Sequence, residues 1–245
     1  VLLEDISGKD RGWLLAHPEF ELANAQVAKL SKLIHQRAEH EPLAYIRGKT
    51  EFYGRKFTIN KHVLEPRPES ETMIELLLKA TPKTRDCTIL DIGTGSGALA
   101  ITAKLEIPYA SVIASDIDCK CLEVARKNAD LLTARVKFYR SNLLADIPKK
   151  LISNSIVLAN LPYVPDNFKI NPAAMNEPKI AIFGGPDGLD VYRKLFDQLA
   201  SLKRKPDLVL TESLPPQHVK LSKIASTSGY KTIKAGDFIQ VYKPN

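Results

Sequence analysis

The chain has few cysteine, tryptophan and methionine residues and no long apolar run. Its three cysteines are too few for a disulfide-stabilised secreted domain. Cys119 and Cys121 form a C-x-C pair, Cys87 stands apart, and no Cys/His cluster completes a metal site. We therefore expect reduced thiols, no bound metal and a cytoplasmic protein. Since no segment approaches the ~20 apolar residues of a membrane-spanning helix and no signal peptide is evident, we expect no membrane partner.

The bulk composition is that of an ordinary globular protein. Of the 245 residues, 44% are hydrophobic and 26% are charged, enough for one large domain or for a large and a small one. The net charge of +7 is compatible with nucleic acid, a ribosomal context or an acidic protein partner. The basic clusters at 149–150 and 203–205 are short and typical of solvated surface, so we expect no direct nucleic-acid binding. Because the chain does not begin with Met, we expect its N-terminus to be truncated or processed.

The first seventy residues differ in character from the rest. Residues 1–40 have apolar residues at helical spacing, and Gly12 predicts a break before Trp13. Residues 41–70 are rich in aromatic residues and glycines, which predicts turns and a short connecting hairpin. We thus expect a helical domain over 1–40, a connecting segment over 41–70 and a larger domain over 71–245.

From residue 87 onward, strand and helix patterns alternate, which predicts βαβ units and a mainly parallel sheet. We predict strands at 111–115, 135–140, 155–159, 207–211, 230–235 and 238–243, and helices at 118–130, 188–203 and 216–228. Gly236 and Asp237 separate the last two strands as a hairpin, so one strand of the sheet should run antiparallel.

The most informative stretch is 88–100, an apolar strand followed by a glycine-rich turn and the start of a helix. The glycines Gly93, Gly95 and Gly97 allow a sharp turn and a close approach by a ligand. Such a turn brings a helix N-terminus to the carboxyl end of a strand, where open α/β sheets bind nucleotides. The pattern also fits a dinucleotide fingerprint or an ordinary strand-to-helix turn.

Two carboxylates favour S-adenosyl-L-methionine over a dinucleotide. Asp91 comes two residues before the first glycine, where it would repel a pyrophosphate but suits an ammonium and a sulfonium. Asp116 ends the next apolar run, where a carboxylate can accept hydrogen bonds from both ribose hydroxyls. Read alone, Asp116 fits a helix N-cap equally well. The two residues together indicate a nucleotide-type cofactor.

The segment Asn160-Leu161-Pro162-Tyr163 indicates the reaction. Pro162 forces Leu161 into an extended conformation, which can bring the Leu161 carbonyl beside the Asn160 side-chain oxygen. Two adjacent acceptors can hold both hydrogens of a planar –NH2 group, against which Tyr163 can lie. An amide or aromatic amine nitrogen held in this way is oriented toward the methyl sulfonium, and no general base is required. An asparagine that satisfies a local turn is the competing interpretation.

Further motifs resemble the HemK/PrmC family, the protein-(glutamine-N5) methyltransferases that act on peptide chain release factors. The similar segments are Gly8–Pro18, Glu41–Ile46, Glu51–Gly54, Pro66–Glu71 and Glu177–Leu189. They extend over nearly the whole chain.

The resemblance implies an α/β class I S-adenosylmethionine-dependent methyltransferase fold with a Rossmann-like seven-stranded sheet, behind a small helical domain that recognises the substrate. The implied substrate is the glutamine of a Gly-Gly-Gln loop in a release factor. The segment 160–163 matches the family's N-P-P-Y tetrad, and we predict its four residues to be catalytic. The predicted cofactor-binding residues are Asp91, Gly93, Thr94, Gly95, Ser96, Gly97, Asp116, Asn142, Leu143 and Asn160, of which Asn142 and Leu143 flank the adenine ring.

Three positions depart from the family pattern. Leu161 replaces the first proline of the tetrad, Asn142 replaces an aspartate, and the run 211–216 differs from the usual glutamate-Ile/Leu-glycine. The form N-L-P-Y is also typical of adenine-N6 methyltransferases, so methylation of RNA or DNA is the alternative. A non-catalytic cofactor-binding module and a nicotinamide oxidoreductase would give Asn160 and Tyr163 no role.

Overall fold

The computed structural model describes residues 1–81 and 87–245. The chain begins with four helices: α1 (Leu2–Ser7), α2 (Arg11–Ala16), α3 (Asn24–Ala38) and α4 (Leu43–Arg47). The predicted break at Gly12 is wrong. Gly8, in the left-handed region with φ 70°, ends α1, and the Asp10 side chain caps α2 by accepting from the Trp13 N–H. In this described portion, no helix has the length and apolar character needed to cross a membrane.

The predicted connecting hairpin is present, although α4 precedes it where the sequence predicted only turns and strands. Strands β1 (Lys49–Phe52) and β2 (Arg55–Thr58) pair antiparallel. A 3-10 turn at Pro68–Ser70 then leads into α5 (Glu71–Ala80).

A seven-stranded sheet forms the centre of the molecule, as predicted. Its strands are β3 (Thr88–Ile92), β4 (Ser111–Asp116), β5 (Val136–Arg140), β6 (Ser155–Ala159), β7 (Leu208–Glu212), β8 (Tyr230–Gly236) and β9 (Ile239–Pro244). Their order is β5-β4-β3-β6-β7-β9-β8, and β9 alone runs antiparallel to its neighbours. The antiparallel strand predicted from Gly236 and Asp237 is therefore confirmed.

Helices lie on both faces of this sheet. They are α6 (Ala98–Glu106), α7 (Cys119–Leu131), α8 (Lys149–Ile152), α9 (Lys179–Ile182), α10 (Asp190–Ala200) and α11 (His218–Thr227). The predicted helices at 118–130, 188–203 and 216–228 correspond to α7, α10 and α11. The short helices α8 and α9 were not predicted, because four residues are too few to show a helical period.

The core is divided by the sheet into two layers. Along β3, Ile89 packs in the layer that contains Met73 of α5, whereas Leu90 packs in the layer that contains Phe196 of α10. Strands covered on both faces need apolar residues at nearly every position, which explains their continuous apolar runs. The chain moves outward from β3 through β4 to β5 and then returns to β6 on the other side of β3. The carboxyl ends of β3 and β6 therefore flank a topological switch point, where open sheets bind ligands.

Candidate active site

A cavity of about 350 Å³ lies at the carboxyl ends of β3, β4 and β6. Ten of the predicted site residues contribute to its lining: Gly93, Thr94, Gly95, Ser96, Asp116, Asn142, Leu143, Asn160, Leu161 and Pro162. Asp91, Gly97 and Tyr163 are not part of this lining and lie behind it.

The glycine turn is fixed to the neighbouring strand. The N–H groups of Gly93 and Thr94 both donate to the Ser115 carbonyl of β4, each at 2.9 Å. Gly93 has φ 73°, and a Cβ at this position would lie 2.9 Å from Leu161 Cδ2. The turn and the 160–163 segment therefore pack against each other, which brings the predicted cofactor and substrate elements into one cavity.

Asp116 is held at the end of β4 by backbone donors. Its Oδ2 accepts from the Gly95 N–H at 2.9 Å, and its Oδ1 accepts from the Asp118 N–H at 3.0 Å. The N-cap of α7 is Asp118, whose side chain accepts from the Lys120 N–H, so Asp116 does not cap this helix. Burial raises the pKa of the Asp116 carboxyl. Asp116 also lines the cavity, so its carboxyl group is placed where a ligand can contact it.

Asp91 lies beneath the glycine turn and is almost completely buried. Its Oδ2 accepts from Thr94 Oγ1 at 2.6 Å and from the Ala100 N–H at 3.2 Å. In the described part of the chain, its Oδ1 is buried without a hydrogen-bond partner. Burial raises the pKa of this carboxyl to about 6. A cationic group nearby would stabilise the ionised form.

Gly97 occupies a packing position rather than the cavity wall. A Cβ there would lie 2.9 Å from Ile101 Cδ1 and 3.1 Å from Ala125 Cβ, so the glycine lets α6 and α7 approach each other. The physical reason for its place behind the lining is that the chain has already turned into α6 at this residue.

Asn142 and Leu143 follow β5 and form another part of the cavity wall. Gln198 of α10 holds this loop, since its Oε1 accepts from the Leu144 N–H at 2.8 Å and its Nε2 donates to the Asn142 carbonyl at 3.3 Å. Leu143 is buried and adopts a positive φ of 57°. An apolar side chain and an amide therefore lie side by side at the end of β5.

The 160–163 segment begins where β6 ends. Asn160 Nδ2 donates to Ser70 Oγ at 2.8 Å, and the Leu161 N–H donates to the Tyr192 hydroxyl at 3.3 Å. Tyr163, predicted to lie against the substrate amide, does not line the cavity, and its hydroxyl donates to Glu212 Oε1 at 3.0 Å.

The loop that follows is packed tightly on this segment. Val164 forms an isolated bridge with Phe183. A Cβ on Gly184 would lie 2.4 Å from the Pro162 carbonyl oxygen, and a Cβ on Gly188 would lie 2.1 Å from the Tyr163 carbonyl oxygen. Both glycines belong to the family-like segment Glu177–Leu189, here called the late motif. They therefore support the backbone of the 160–163 segment.

Several residues at this site were not predicted from the sequence. Ser70 and Glu212 contact the 160–163 segment, and His62 and Lys194 contribute to the cavity lining. The signal that could have indicated Glu212 is its position at the end of a buried strand, where a carboxylate needs a polar partner. In the described residues, no group of three His, Cys, Asp or Glu side chains could hold a metal ion.

Arg67, in the proline-rich segment, also has a defined partner. Its Nη2 donates to Glu177 Oε1 at 2.5 Å, and Glu177 Oε2 accepts from the Glu65 N–H at 3.2 Å. Burial raises the pKa of Glu177 despite the nearby guanidinium. The pair joins the segment before α5 to the loop that leads back to the cavity.

Comparison with known proteins gives relatives along most of the chain. A release factor glutamine methyltransferase of Koribacter versatilis is 39% identical over 193 residues, which cover 78% of this chain and 69% of the relative. Another, from Bacillus cereus, is 36% identical over 218 residues, which cover 86% of this chain and 77% of the relative.

The chain belongs to the release factor glutamine methyltransferase family.

Family comparisons by segment agree with this membership. Residues 1–48 match the PrmC N-terminal domain, and residues 70–176 match the methyltransferase small domain. Among solved structures, a 16S rRNA methyltransferase of T. thermophilus in complex with AdoMet and guanosine has a TM-score of 0.58 at 16% identity, covering 80% of this chain and 49% of that one. At this identity the likeness shows the class I methyltransferase fold alone. The resemblance to the release factor family predicted from the motifs is confirmed.

Proposed function

We propose that this protein transfers a methyl group from S-adenosylmethionine to the side-chain amide nitrogen of the glutamine in the Gly-Gly-Gln loop of peptide chain release factors. The observation that supports this most strongly is that the tetrad residues Asn160, Leu161 and Pro162 share one cavity with the glycine turn and Asp116. The relatives named for release factor glutamine methylation support the same substrate. Since release factors act in translation, we infer a cytoplasmic enzyme.

The residues around the cavity fit the chemistry of S-adenosylmethionine. Asp116 lies in the cavity wall, where its carboxylate can accept from ribose hydroxyls, and the charge of Asp91 behind the wall suits a cationic cofactor. Asn142 and Leu143 offer an amide and an apolar surface for the adenine ring. When bound, this cofactor supplies an electrophilic methyl group on a sulfonium.

The tetrad would hold the glutamine amide by two acceptors. Nδ2 of Asn160 is used by Ser70, which leaves Oδ1 as the acceptor available to a ligand. No hydrogen bond within the described residues uses either Asn160 Oδ1 or the Leu161 carbonyl. Both amide hydrogens of a substrate would thus be bound, which orients the nitrogen and stabilises the positive charge that develops on it.

We further infer that residues 1–40 recognise the release factor and that residues 71–245 perform the methyl transfer. Residues 41–70 connect these two parts. The match of residues 1–48 to the PrmC N-terminal domain supports a separate N-terminal unit, although it extends eight residues beyond the proposed boundary at residue 40. Helices α2 and α3 expose the apolar side chains of Leu15, Val27 and Ile34, which suit a protein partner better than a nucleic acid.

The test is mass spectrometry of a release factor incubated with this protein and S-adenosylmethionine. We expect one methyl group on the Gly-Gly-Gln glutamine. Asn160→Ala should abolish this product while calorimetry shows that the cofactor still binds. Transfer of labelled methyl to ribosomal RNA, with none to the release factor, would contradict the proposal and favour the adenine-N6 alternative.

A further inference from the structure

Glu212, a residue that the proposed mechanism does not use, lies behind the tetrad. It ends β7 and is only 1% exposed. Its Oε2 accepts from Ser70 Oγ at 2.7 Å, and its Oε1 accepts from the Tyr163 hydroxyl at 3.0 Å. The three residues come from distant parts of the chain, and Ser70 also accepts from Asn160 Nδ2. A buried carboxylate therefore connects with two members of the tetrad.

These contacts have a fixed direction. Ser70 and Tyr163 both donate their hydroxyl hydrogens to Glu212, the direction that suits a carboxylate acceptor. Ser70 Oγ then has only lone pairs to offer to Asn160, so the –NH2 group of Asn160 must face Ser70. The opposite end of the amide, Oδ1, consequently points away from Ser70, and no hydrogen bond among the described residues uses it. Without such a chain, the two orientations of an asparagine amide have similar shape and differ only in their hydrogen bonds.

We propose that Glu212, acting through Ser70, is a positioning residue that sets the orientation of the Asn160 amide and so presents Oδ1 as an acceptor to the substrate amide. The inference rests on the proposed function of Asn160. It adds a residue outside the tetrad, and a specific task, to that function.

Two observations distinguish the orientation of the Asn160 amide from general support of the fold. The Tyr192 hydroxyl lies between the ends of β6 and β7, 3.0 Å from the Ala159 carbonyl oxygen and in contact with the Glu212 carbonyl, so the Tyr192 side chain joins these strand ends without the Glu212 side chain. Ser70 precedes α5 but makes no capping hydrogen bond to it. The side chains of Ser70 and Glu212 are thus directed toward the tetrad rather than toward their own elements.

The decisive variant is Glu212→Gln, which keeps the size of the side chain but adds a donor. The Gln –NH2 group can donate to Ser70 Oγ, which frees the Ser70 hydroxyl to donate to Asn160 Oδ1 and turn the amide over. We expect kcat for release factor methylation to fall ~10–100-fold, the effect of misplacing one strong hydrogen bond. The dissociation constant of S-adenosylmethionine and the melting temperature should stay close to wild type. Glu106→Gln, which removes a carboxylate from the surface pair with Arg55, is the matched control and should leave kcat unchanged.

A second pair of variants tests the relay at Ser70. Ser70→Ala removes the hydroxyl and should lower kcat to a similar extent, whereas Ser70→Thr restores a hydroxyl and should recover most of the lost rate. If Glu212→Gln does not fold, this pair decides the question by itself.

If the unmodified protein is active and either Glu212→Gln or Ser70→Ala has the same kcat, the role of Glu212 is overturned and the proposed function still stands. An unmodified protein that binds S-adenosylmethionine but does not methylate the release factor would overturn the proposed function and this inference together.

Discussion

Asp91 illustrates how a single buried carboxyl group is balanced between ligand binding and stability. Two donors satisfy Oδ2, but Oδ1 is buried without a partner among the described residues, and the pKa is raised to about 6 by burial. Such a group is costly in its ionised form unless a cation approaches it. The cost in the ligand-free protein is consistent with a site prepared for a positive charge.

Replacing Asp91 with Asn should change how stability depends on pH. The raised pKa means that Asp91 binds a proton more tightly in the folded protein than in the unfolded chain, where its pKa is near the ordinary value of 3.8. The contribution of Asp91 to stability is therefore fully present below pH ~3.8 and is lost as the pH rises through about 6, by up to ~3 kcal/mol. In urea unfolding without cofactor, the free energy of unfolding should decrease less between pH 4.5 and pH 7.5 for Asp91→Asn than for wild type. The same variant should bind S-adenosylmethionine more weakly, and identical pH profiles of stability would contradict the assignment.

Asp116 allows a direct test of the cofactor site. Asp116→Ala should weaken S-adenosylmethionine binding by ~1.5–3 kcal/mol, the scale of hydrogen bonds to a charged group. Calorimetry measures the affinity, and Asp130→Ala, on the exposed end of α7, is the matched control. Unchanged affinity in Asp116→Ala would remove this residue from the site.

Leu161→Pro converts the segment to the family's N-P-P-Y form. The variant keeps the carbonyl proposed to bind substrate, but it loses the N–H that donates to the Tyr192 hydroxyl over 3.3 Å. We expect a loss of ~1 kcal/mol in unfolding free energy and retention of most of kcat. Thermal unfolding and steady-state methylation measure the two effects. Near-total loss of activity in a folded variant would show that the leucine side chain, which packs against Gly93, has a role of its own.

At the scale of elements, the active-site segment depends on the loop that follows it. The backbone of 162–163 is contacted by two glycines of the late motif, and Gln217 Nε2 donates to the Tyr163 carbonyl at 2.8 Å. The glycine turn after β3 belongs to a different part of the chain. Disturbing the late motif should therefore affect the substrate side of the cavity more than the cofactor side.

Gly184→Ala tests this division. A Cβ at Gly184 would lie 2.4 Å from the Pro162 carbonyl oxygen and 2.5 Å from the Gly188 carbonyl oxygen, so the backbone must move. We expect kcat to fall at least ~10-fold because displacement of a positioned group by about 1 Å is costly, with little change in cofactor affinity. Gly236→Ala, where no atom lies within 4 Å of the added Cβ, is the matched control. Equal effects of Gly184→Ala on cofactor affinity and on kcat would show that the late motif does not act mainly on the substrate side of the cavity.

At the scale of the whole molecule, the first N-terminal helix, α1, is joined to α4 and β1 by polar contacts. Asp5 of α1 forms ion pairs with Arg47 at 2.6 Å and Lys49 at 2.8 Å, and these cations lower the pKa of Asp5 to about 2. No residue of α1, α2 or α3 is fully buried, so these helices contribute little to the core. Their exposed apolar side chains are therefore open to substitution without unfolding the sheet.

Leu15→Glu should separate recognition of the release factor from catalysis. Leu15 is 74% exposed, and a charge there would oppose the docking of an apolar partner surface. We expect KM for the intact release factor to rise ~10-fold while cofactor binding and kcat stay close to wild type. Val219→Glu on α11, at an 85% exposed position, is the matched control. If both variants behave like wild type, the α2 surface is not part of the docking site.

The sequence by itself determined the βα alternation, the antiparallel strand of the sheet, the glycine turn and the family. These features are local, because apolar period, glycine position and proline constraints act within a few residues. Local patterns also misled at Gly12, where the helix end is decided by the left-handed Gly8 and the Asp10 cap.

Only the tertiary structure decided which polar groups meet. Ser70 and Glu212 are 142 residues apart, and Ser70 and Asn160 are 90 residues apart, so their contacts depend on the order of the strands. The strand order β3-β6-β7 places the ends of β6 and β7 side by side, and the packing of α5 brings Ser70 to the same point. The tertiary structure likewise decided that Asp118, and not Asp116, caps α7, although both residues lie in the same short turn and line the cavity. Side-chain partnerships across a sheet follow from its topology, which no local pattern in the chain specifies.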